Sequence, residues 1–296
     1  MTRRAGTAPV APPDPDPAGD DAMVYRPAWV PGDIDIERPS VARMYDYFLG
    51  GSHNLAADRE LAKQALEAFP DAPYIVRANR AFLRRAVTVL CDLGVDQFLD
   101  LGSGIPTAGN VHETVRLADP AARTVYVDSD PVAFAHASAL LAGEPLVRVL
   151  HEDLRDPDAV LRGAAATGLL DFARPVAVLL VSVLPFIPDA DDPAGIVAAY
   201  RDATVPGSFL AISHGTNDYR PEAVGKVEGV YTRTTQPGVF RSRAQITGLM
   251  PRYELLPPGL VDAILWRPDP GDDPADDPLN GDVGRYSLLA AVGRRS

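Results

Sequence analysis

FLDLGSGIPTAGN, residues 98–110, reads as a strand that runs into a glycine-rich turn and then opens a helix. Phe98, Leu99 and Leu101 are apolar, Asp100 is acidic, and Gly102 and Gly104 flank Ser103. Glycine suits such a turn because it adopts positive φ freely and because a Cβ would hold the backbone away from a ligand. The free N–H groups at the start of the next helix favour polar or anionic ligand groups. A lone Gly-x-Gly also fits an ordinary strand–helix turn. Its neighbours decide.

Outward from that stretch, short apolar runs alternate with helical segments as far as His214. The runs are QFLDLG, TVYVDSD, PLVRVLHED, VAVLLVSVL and SFLAISH. This alternation implies βαβ units and a parallel sheet covered on both faces. A helix (FRSRAQITGLM) follows, then the runs YELLPPGLV and YSLLAAVGR, joined by the acidic stretch DPGDDPADDPLNGD. Two strands without an intervening helix predict an antiparallel pair at the sheet edge, and the acidic stretch reads as a solvated connection. Upstream, VARMYDYFLGG, ADRELAKQALEAF and NRAFLRRAVTVLCDLG carry helical periodicity. Gly50-Gly51 ends the first, and Pro70 with Pro73 ends the second. Three regions result: a disordered Pro-, Asp- and Ala-rich tail over 1–35, a helical lid over 36–95, and a doubly wound α/β domain over 96–296.

Composition narrows the function classes. The 296 residues are 46% hydrophobic and 23% charged, ordinary for a globular protein. A net charge of −12 repels phosphate backbones, which argues against nucleic acid as substrate. RANRAFLRR (residues 77–85) is the best local basic patch. No apolar run is long enough to span a membrane. MTRRAGTAPVAPPDPDPAGDD lacks the apolar core of a signal peptide, so the expected location is the cytoplasm. With Cys91 as the single cysteine, neither a disulfide framework nor a cysteine-based metal site is expected.

Acidic residues close the first three strands. In VYVDSDP, Asp128 stands 24 residues past Gly104, the spacing at which a carboxylate accepts hydrogen bonds from the ribose hydroxyls of an adenosine. Asp130-Pro131 also reads as a helix cap with proline in the first turn. In LHEDLRDP, Asp153 is placed to accept from an adenine amino group. Asp100, Asp128 and Asp153 thus line up where open α/β sheets bind ligands, along the carboxyl ends of adjacent strands.

The order of glycine turn, ribose acid, adenine acid and antiparallel last strand resembles the class I S-adenosylmethionine-dependent methyltransferases. More narrowly, YDYFLGGSHNLAADRE, RANRAFLRRAV, FLDLGSGIPTAGNVHE, VYVDSDPVAFAHA, DLRDP and DDPAGIVAAYRDATVPGSFLAISH resemble an actinobacterial family of such enzymes, formerly a domain of unknown function. The resemblance covers Arg38 to about Arg294. It implies a seven-stranded, mostly parallel sheet with an antiparallel last strand, S-adenosyl-L-methionine as cofactor, and a small-molecule acceptor. It brings Gly102, Ser103 and Gly104 to the methionine part of the cofactor, Asp128 to the ribose, and Asp153 with Leu154 to the adenine. The cofactor set is completed by Arg80, Asp100, Ser129, Asp130 and Ser182. Chains of this family often carry histidine where this one has Pro185, so any proton-transfer role there is absent or relocated.

Methyl transfer from a sulfonium chiefly requires alignment of a nucleophile, which is worth roughly 7–11 kcal/mol. No metal is needed. Where a base assists, histidine is the usual choice, and the candidates are His53 and His214. His112 and His136 read as packing or solvent-facing residues, and His151 as part of the third strand. Tyr45 and Tyr47 form the aromatic wall of the lid over the acceptor, with Phe48 assigned to its core. Arg77 and Arg80 are placed to meet the cofactor carboxylate. Two other readings stand beside this one. A nicotinamide-dependent oxidoreductase would use the same turn, but position 107 is Thr where G-x-G-x-x-G needs its third glycine. A catalytically inert regulatory protein that binds S-adenosylmethionine would hold the cofactor without turnover.

Overall fold

The computed structural model describes residues 35–106, 109–269 and 277–296. The expected disordered tail lies outside the described residues except for its last member, as does the centre of the acidic connection.

The parallel strands form where both faces can be covered. β1 (Gln97–Leu101), β4 (Ala177–Val181) and β5 (Phe209–Gly215) are buried over essentially their whole length, as continuous apolar runs require. With β2 (Arg123–Asp128) and β3 (Val147–His151) they pair in parallel in the order β3-β2-β1-β4-β5. β8 (Leu288–Arg295) adds antiparallel to β5, from Phe209↔Arg294 to Gly215↔Leu288. β6 (Tyr253–Leu255) then closes the edge antiparallel to β8.

The expected seven-stranded path is therefore present, and a two-residue β7 (Val261–Asp262) pairs β8 as an eighth strand. YELLPPGLV does not form one strand. Pro257 and Pro258 have no N–H to give to a ladder and separate β6 from β7.

Alternation along the strands sorts their side chains into two apolar layers. Phe98, Ala177 and Leu179 face one layer with Val111 and Val115 of α4 (Val111–Ala118) and Ala137 and Leu141 of α5 (Pro131–Leu141). Leu99, Val178 and Leu180 face the other with Val160 of α6 (Pro157–Ala166) and Ile196, Val197 and Tyr200 of α7 (Pro193–Ala203). Asp100 alternates with Leu99 and Leu101, so it falls on the side of Phe98.

The segment 36–95 divides in two. α1 (Val41–Leu49) and α2 (Ala56–Ala68) pack on each other through Met44, Phe48, Leu61 and Ala65, and against Tyr231 at the end of α8 (Pro221–Tyr231). α3 (Ala72–Asp92) instead buries Phe82, Leu83, Ala86, Val87 and Leu90 in the first sheet layer. It begins well before Asn79 because Pro73 sits in its first turn, where the missing N–H costs nothing. The lid expectation thus rests on α1 and α2, while α3 is structurally part of the sheet domain. Among the described residues, no helix is long and apolar enough to cross a membrane.

Candidate active site

Strand order reverses between β1 and β4, and a cleft opens there at the carboxyl ends of the strands. Its floor is the predicted glycine turn. Gly102 and Gly104 both have left-handed backbone, with φ of +68° and +67°, and the N–H groups of Gly102 and Ser103 donate to the Val127 carbonyl at 2.8 and 3.1 Å. A Cβ on Gly102 would come within 2.2 Å of Val183 Cγ2. One on Gly104 would meet no protein atom within 4 Å, so the space it leaves beside the cleft is open to a ligand.

Asp128 fastens this turn. Its Oδ2 accepts from Gly104 N–H at 2.6 Å and its Oδ1 from Asp130 N–H at 2.8 Å. Burial pushes its carboxyl up to about 6, against the pull of those two donors. Asp100 goes further, to about 7, through burial and the neighbouring Asp128 charge, partly offset by the Arg80 guanidinium. Both carboxyls thus hold protons more tightly in the folded chain than in the unfolded one. Their contribution to stability is complete below about pH 4 and is lost as pH rises through 6 to 7. Asp100→Asn removes one of these titrations. The melting temperature of the variant minus that of the wild type, both ligand-free, is expected to grow between pH 4 and 8, reaching an equivalent of a few kcal/mol. A difference that stays flat over this range would show that Asp100 does not titrate there.

Asp130 plays the capping role. Its Oδ1 accepts from Val132 and Ala133 N–H at 2.8 and 3.1 Å, while Oδ2 receives the Ser40 hydroxyl and lies 3.5 Å from Arg43 Nη1. Arg43 Nε in turn bonds Asp58 at 2.7 Å in a pair that is almost wholly buried, and Asp58 also accepts from the backbone N–H of Ser40 and Leu55. These contacts strap the start of α1 to the side of the cleft lined by Asp128 and Asp130. Sequence reading missed Ser40, Arg43 and Asp58, because nothing local links residue 43 to residue 130.

The YDYFLGGSHN element has a local explanation. Gly50 ends α1 with left-handed backbone, and a Cβ on Gly51 would stand 2.0 Å from Asp46 Oδ1. With that room, Asp46 accepts from His53 N–H at 2.9 Å and Asn54 Nδ2 at 2.8 Å, which ties the loop to Asp46, itself a lining residue of the cleft.

The remaining expected residues are distributed as follows. Arg80, Ser103, Ser129, Asp153, Leu154 and Ser182 all line the cleft, and so does Tyr45. Arg80 Nη2 donates to Asn110 Oδ1 at 3.1 Å. Asp153 is clamped by the Arg155 guanidinium, Nε to Oδ2 at 2.9 Å; burial raises its carboxyl, but these bonds outweigh burial and hold it below the usual range. Ser182 has φ of +56°, a conformation that non-glycine residues rarely adopt. Its hydroxyl lies 3.3 Å from that of Ser213, which donates to Asn79 Oδ1 at 2.5 Å. Asn79 Nδ2 then donates to the Tyr45 hydroxyl at 3.0 Å, and Tyr45 donates to the Val76 carbonyl at 3.1 Å. Asn79 carried no signal in sequence beyond its place in a helix.

Four expectations are corrected. His214 is not at the cleft: it is fully buried, its Nδ1 donates to the Gly215 carbonyl at 2.7 Å, and its Nε2 accepts from Arg241 at 2.9 Å. Burial, reinforced by the Arg241 charge, pushes its pKa down to about 3, so it is a neutral structural residue with both nitrogens engaged. His53 stacks on His136, ring centroids 3.7 Å apart, and lines neither this cleft nor the cavity beside it. Tyr47 packs edge-on against Phe48 at 6.2 Å within the α1–α2 cluster and faces neither space. Arg77 lies over the Tyr74 ring at 5.8 Å instead of at the cleft, and Arg85 of the same basic run is buried, donating to the Ala263 and Trp266 carbonyls.

A second cavity adjoins the cleft. It shares Tyr45, Ser182 and Phe186 with the cleft and is walled by Phe48, Phe69, Ile75, Val76, Val224, Val227, Tyr231 and Phe240.

A parallel sheet with one antiparallel insertion, a glycine turn after β1 and acidic residues at the ends of β1 to β3 define the class I methyltransferase architecture. Within that class, the sequence model of the family described as S-adenosyl methyltransferase matches residues 27–295. The chain belongs to that family, whose cofactor is S-adenosylmethionine. It is similar to the crystal structure of a putative methyltransferase from Thermobifida fusca, with 37% identity over 91% of this chain and 100% of that one, at a TM-score of 0.83. It is also similar to a DUF574 family protein from Streptomyces avermitilis, with 35% identity over 88% of this chain and 99% of that one, at a TM-score of 0.83. No curated protein matches the chain.

Proposed function

We propose that this protein transfers the methyl group of S-adenosylmethionine to a small-molecule acceptor, and that it does so in the cytoplasm. The observation that carries the reading is the pair of buried carboxyls, Asp100 and Asp128, beside the open glycine turn. A dinucleotide would bring a pyrophosphate to such a turn, which the Asp100 carboxyl beside it opposes, whereas a ribose acid such as Asp128 serves both cofactors. S-adenosylmethionine instead carries a cationic sulfonium and an ammonium, which carboxylates favour. The residues fit the group: Gly102, Ser103 and Gly104 admit the methionine part, Asp128 retains an unused lone pair on each oxygen for the ribose diol, and Asp153 with Leu154 borders the adenine. When bound, the cofactor supplies an electrophilic methyl group. The chain's own contribution is to bind, orient and exclude water, since neither candidate histidine reaches the cleft.

Calorimetry is expected to show S-adenosylmethionine and its demethylated product binding, with NAD and NADP silent. A cation placed beside Asp100 favours its ionised form, so binding near pH 7 is expected to release protons, seen as a binding heat that changes with the buffer's ionisation enthalpy. Tight nicotinamide binding without sulfonium binding would end this reading. Methyl transfer itself is tested by release of S-adenosylhomocysteine with a pool of small hydroxylated and amino acceptors.

A further inference from the structure

Resting on that reading, the second cavity identifies the acceptor class. We propose that it holds a neutral, planar, largely apolar molecule bearing a phenol-type hydroxyl, anchored by the Tyr231 hydroxyl.

Position is the first argument. The cavity and the cofactor cleft meet at Tyr45, Ser182 and Phe186, which line both, so a molecule filling the cavity presents one end to the cleft. The Phe186 and Tyr231 rings meet edge to face at 5.3 Å, and Phe48, Phe69 and Phe240 complete an aromatic wall, which favours a flat ring system.

Charge is the second. No Asp, Glu, Lys, Arg or His is among the described residues lining the cavity. A cationic amine would be buried there without a counter-charge, next to the cofactor's own positive sulfonium, which is costly. A fixed anion would likewise lack a counter-charge in the wall, so the acceptor is neutral.

The third argument concerns the proton. With no base in the cavity wall, and with His214 sealed beneath Arg241, a hydroxyl nucleophile has to be acidic enough to ionise unaided. A phenol-type hydroxyl, near pKa 10, meets that condition where an aliphatic alcohol does not. Its oxygen lone pair forms the new O–CH3 bond as the S–CH3 bond breaks, the bonding pair stays on sulfur as a neutral thioether, and the hydroxyl proton passes to solvent.

Tyr231 supplies the polar anchor. Tyr45 is committed to Val76 and Asn79, Ser182 to the Ser213 hydroxyl, Tyr286 to Asp277, and Ser287 to the Gly284 carbonyl. The Tyr231 hydroxyl makes no hydrogen bond to the described residues, and Tyr231 lines the cavity. Burial, with Tyr45 nearby, pushes its pKa up to about 12, so it remains a donor, able to hold a forming phenolate.

The test uses the full chain saturated with S-adenosylhomocysteine and titrated with 2-naphthol by fluorescence. Binding of one 2-naphthol per chain, at least tenfold tighter than the cationic 2-naphthylmethylammonium, is expected. Ala72→Trp, which fills the cavity from the start of α3, is expected to weaken 2-naphthol at least tenfold with S-adenosylhomocysteine affinity unchanged. Tyr231→Phe is expected to weaken 2-naphthol about two- to tenfold, the loss of one hydrogen bond, and to leave naphthalene unaffected. It carries the test if Ala72→Trp does not fold. Equal binding of the cation, no binding of 2-naphthol, or indifference to Tyr231→Phe would overturn the proposal. So would 2-naphthol binding that appears only after residues 1–34 are deleted, since the chain's own terminus would then fill the cavity. S-adenosylhomocysteine binding by the wild type is read separately: if it fails, the cofactor reading fails, and if it holds without 2-naphthol binding, only the acceptor class falls.

Discussion

Asp128→Ala is expected to cut the affinity for S-adenosylmethionine at least tenfold and to lower the thermal midpoint of the ligand-free protein by several degrees. Sequence spacing alone assigned both carboxylate oxygens to a ribose. The structure shows each oxygen also holding a backbone N–H, Gly104 at one end of the turn and Asp130 at the other. Truncation therefore strands two part-buried donors at about 1–3 kcal/mol each, besides removing charge-assisted bonds to the ligand. In a domain of this size 1 kcal/mol moves the midpoint by roughly 2–4 °C. Asp128→Asn is expected to be nearly as damaging, because its amide nitrogen must face one of the two N–H donors. Calorimetry and thermal melts on both variants decide the matter. A lowered midpoint with cofactor affinity intact per folded molecule would make Asp128 a clamp for the turn and nothing more.

That clamp on the turn shows what sequence can and cannot convey here. The turn itself was legible, because a run buried on both faces ending in Gly-Ser-Gly has few structural solutions, and the strand-end acids followed from spacing. The layer position of α3 was not. An amphipathic helix shows the same periodicity whether its apolar stripe meets a sheet or another helix, and Phe82 and Leu90 do not announce which. His214 misled for a similar reason. A histidine at a strand end looks available for catalysis until Arg241, far along the chain, is seen to occupy its Nε2. The strap from Ser40 and Arg43 to Asp130, and the open hydroxyl of Tyr231, are products of tertiary packing with no local signature. What sequence supplied was the chemistry at the strand ends, and what it lacked was the pairing that spends or spares each polar group.

The division of the N-terminal helices yields the second large effect. Deleting residues 1–95 is expected to give an insoluble chain, whereas deleting 1–70 is expected to leave a cooperatively folding one that has lost cofactor affinity. The longer deletion removes α3, and with it Phe82, Leu83, Ala86, Val87 and Leu90, all nearly or wholly inaccessible against the sheet. Phe82 also packs edge-on against Trp266 at 5.4 Å, and Arg85 satisfies the carbonyls of Ala263 and Trp266, so one face of the sheet and the approach to β8 would lose their cover together. A single Phe82→Ala change already costs about 3–5 kcal/mol, a large share of a domain's usual net stability of 5–15 kcal/mol. The shorter deletion spares that layer. It takes away Ser40, Arg43 and Tyr45, so Asp130 loses its strap and the cleft loses one wall. Circular dichroism melts separate the two cases, with calorimetry reporting the cofactor. A soluble 96–296 fragment with a cooperative melt would show that α3 is dispensable to the sheet, and the acceptor pocket would then have to be rebuilt from the loops after β4 and β5 alone.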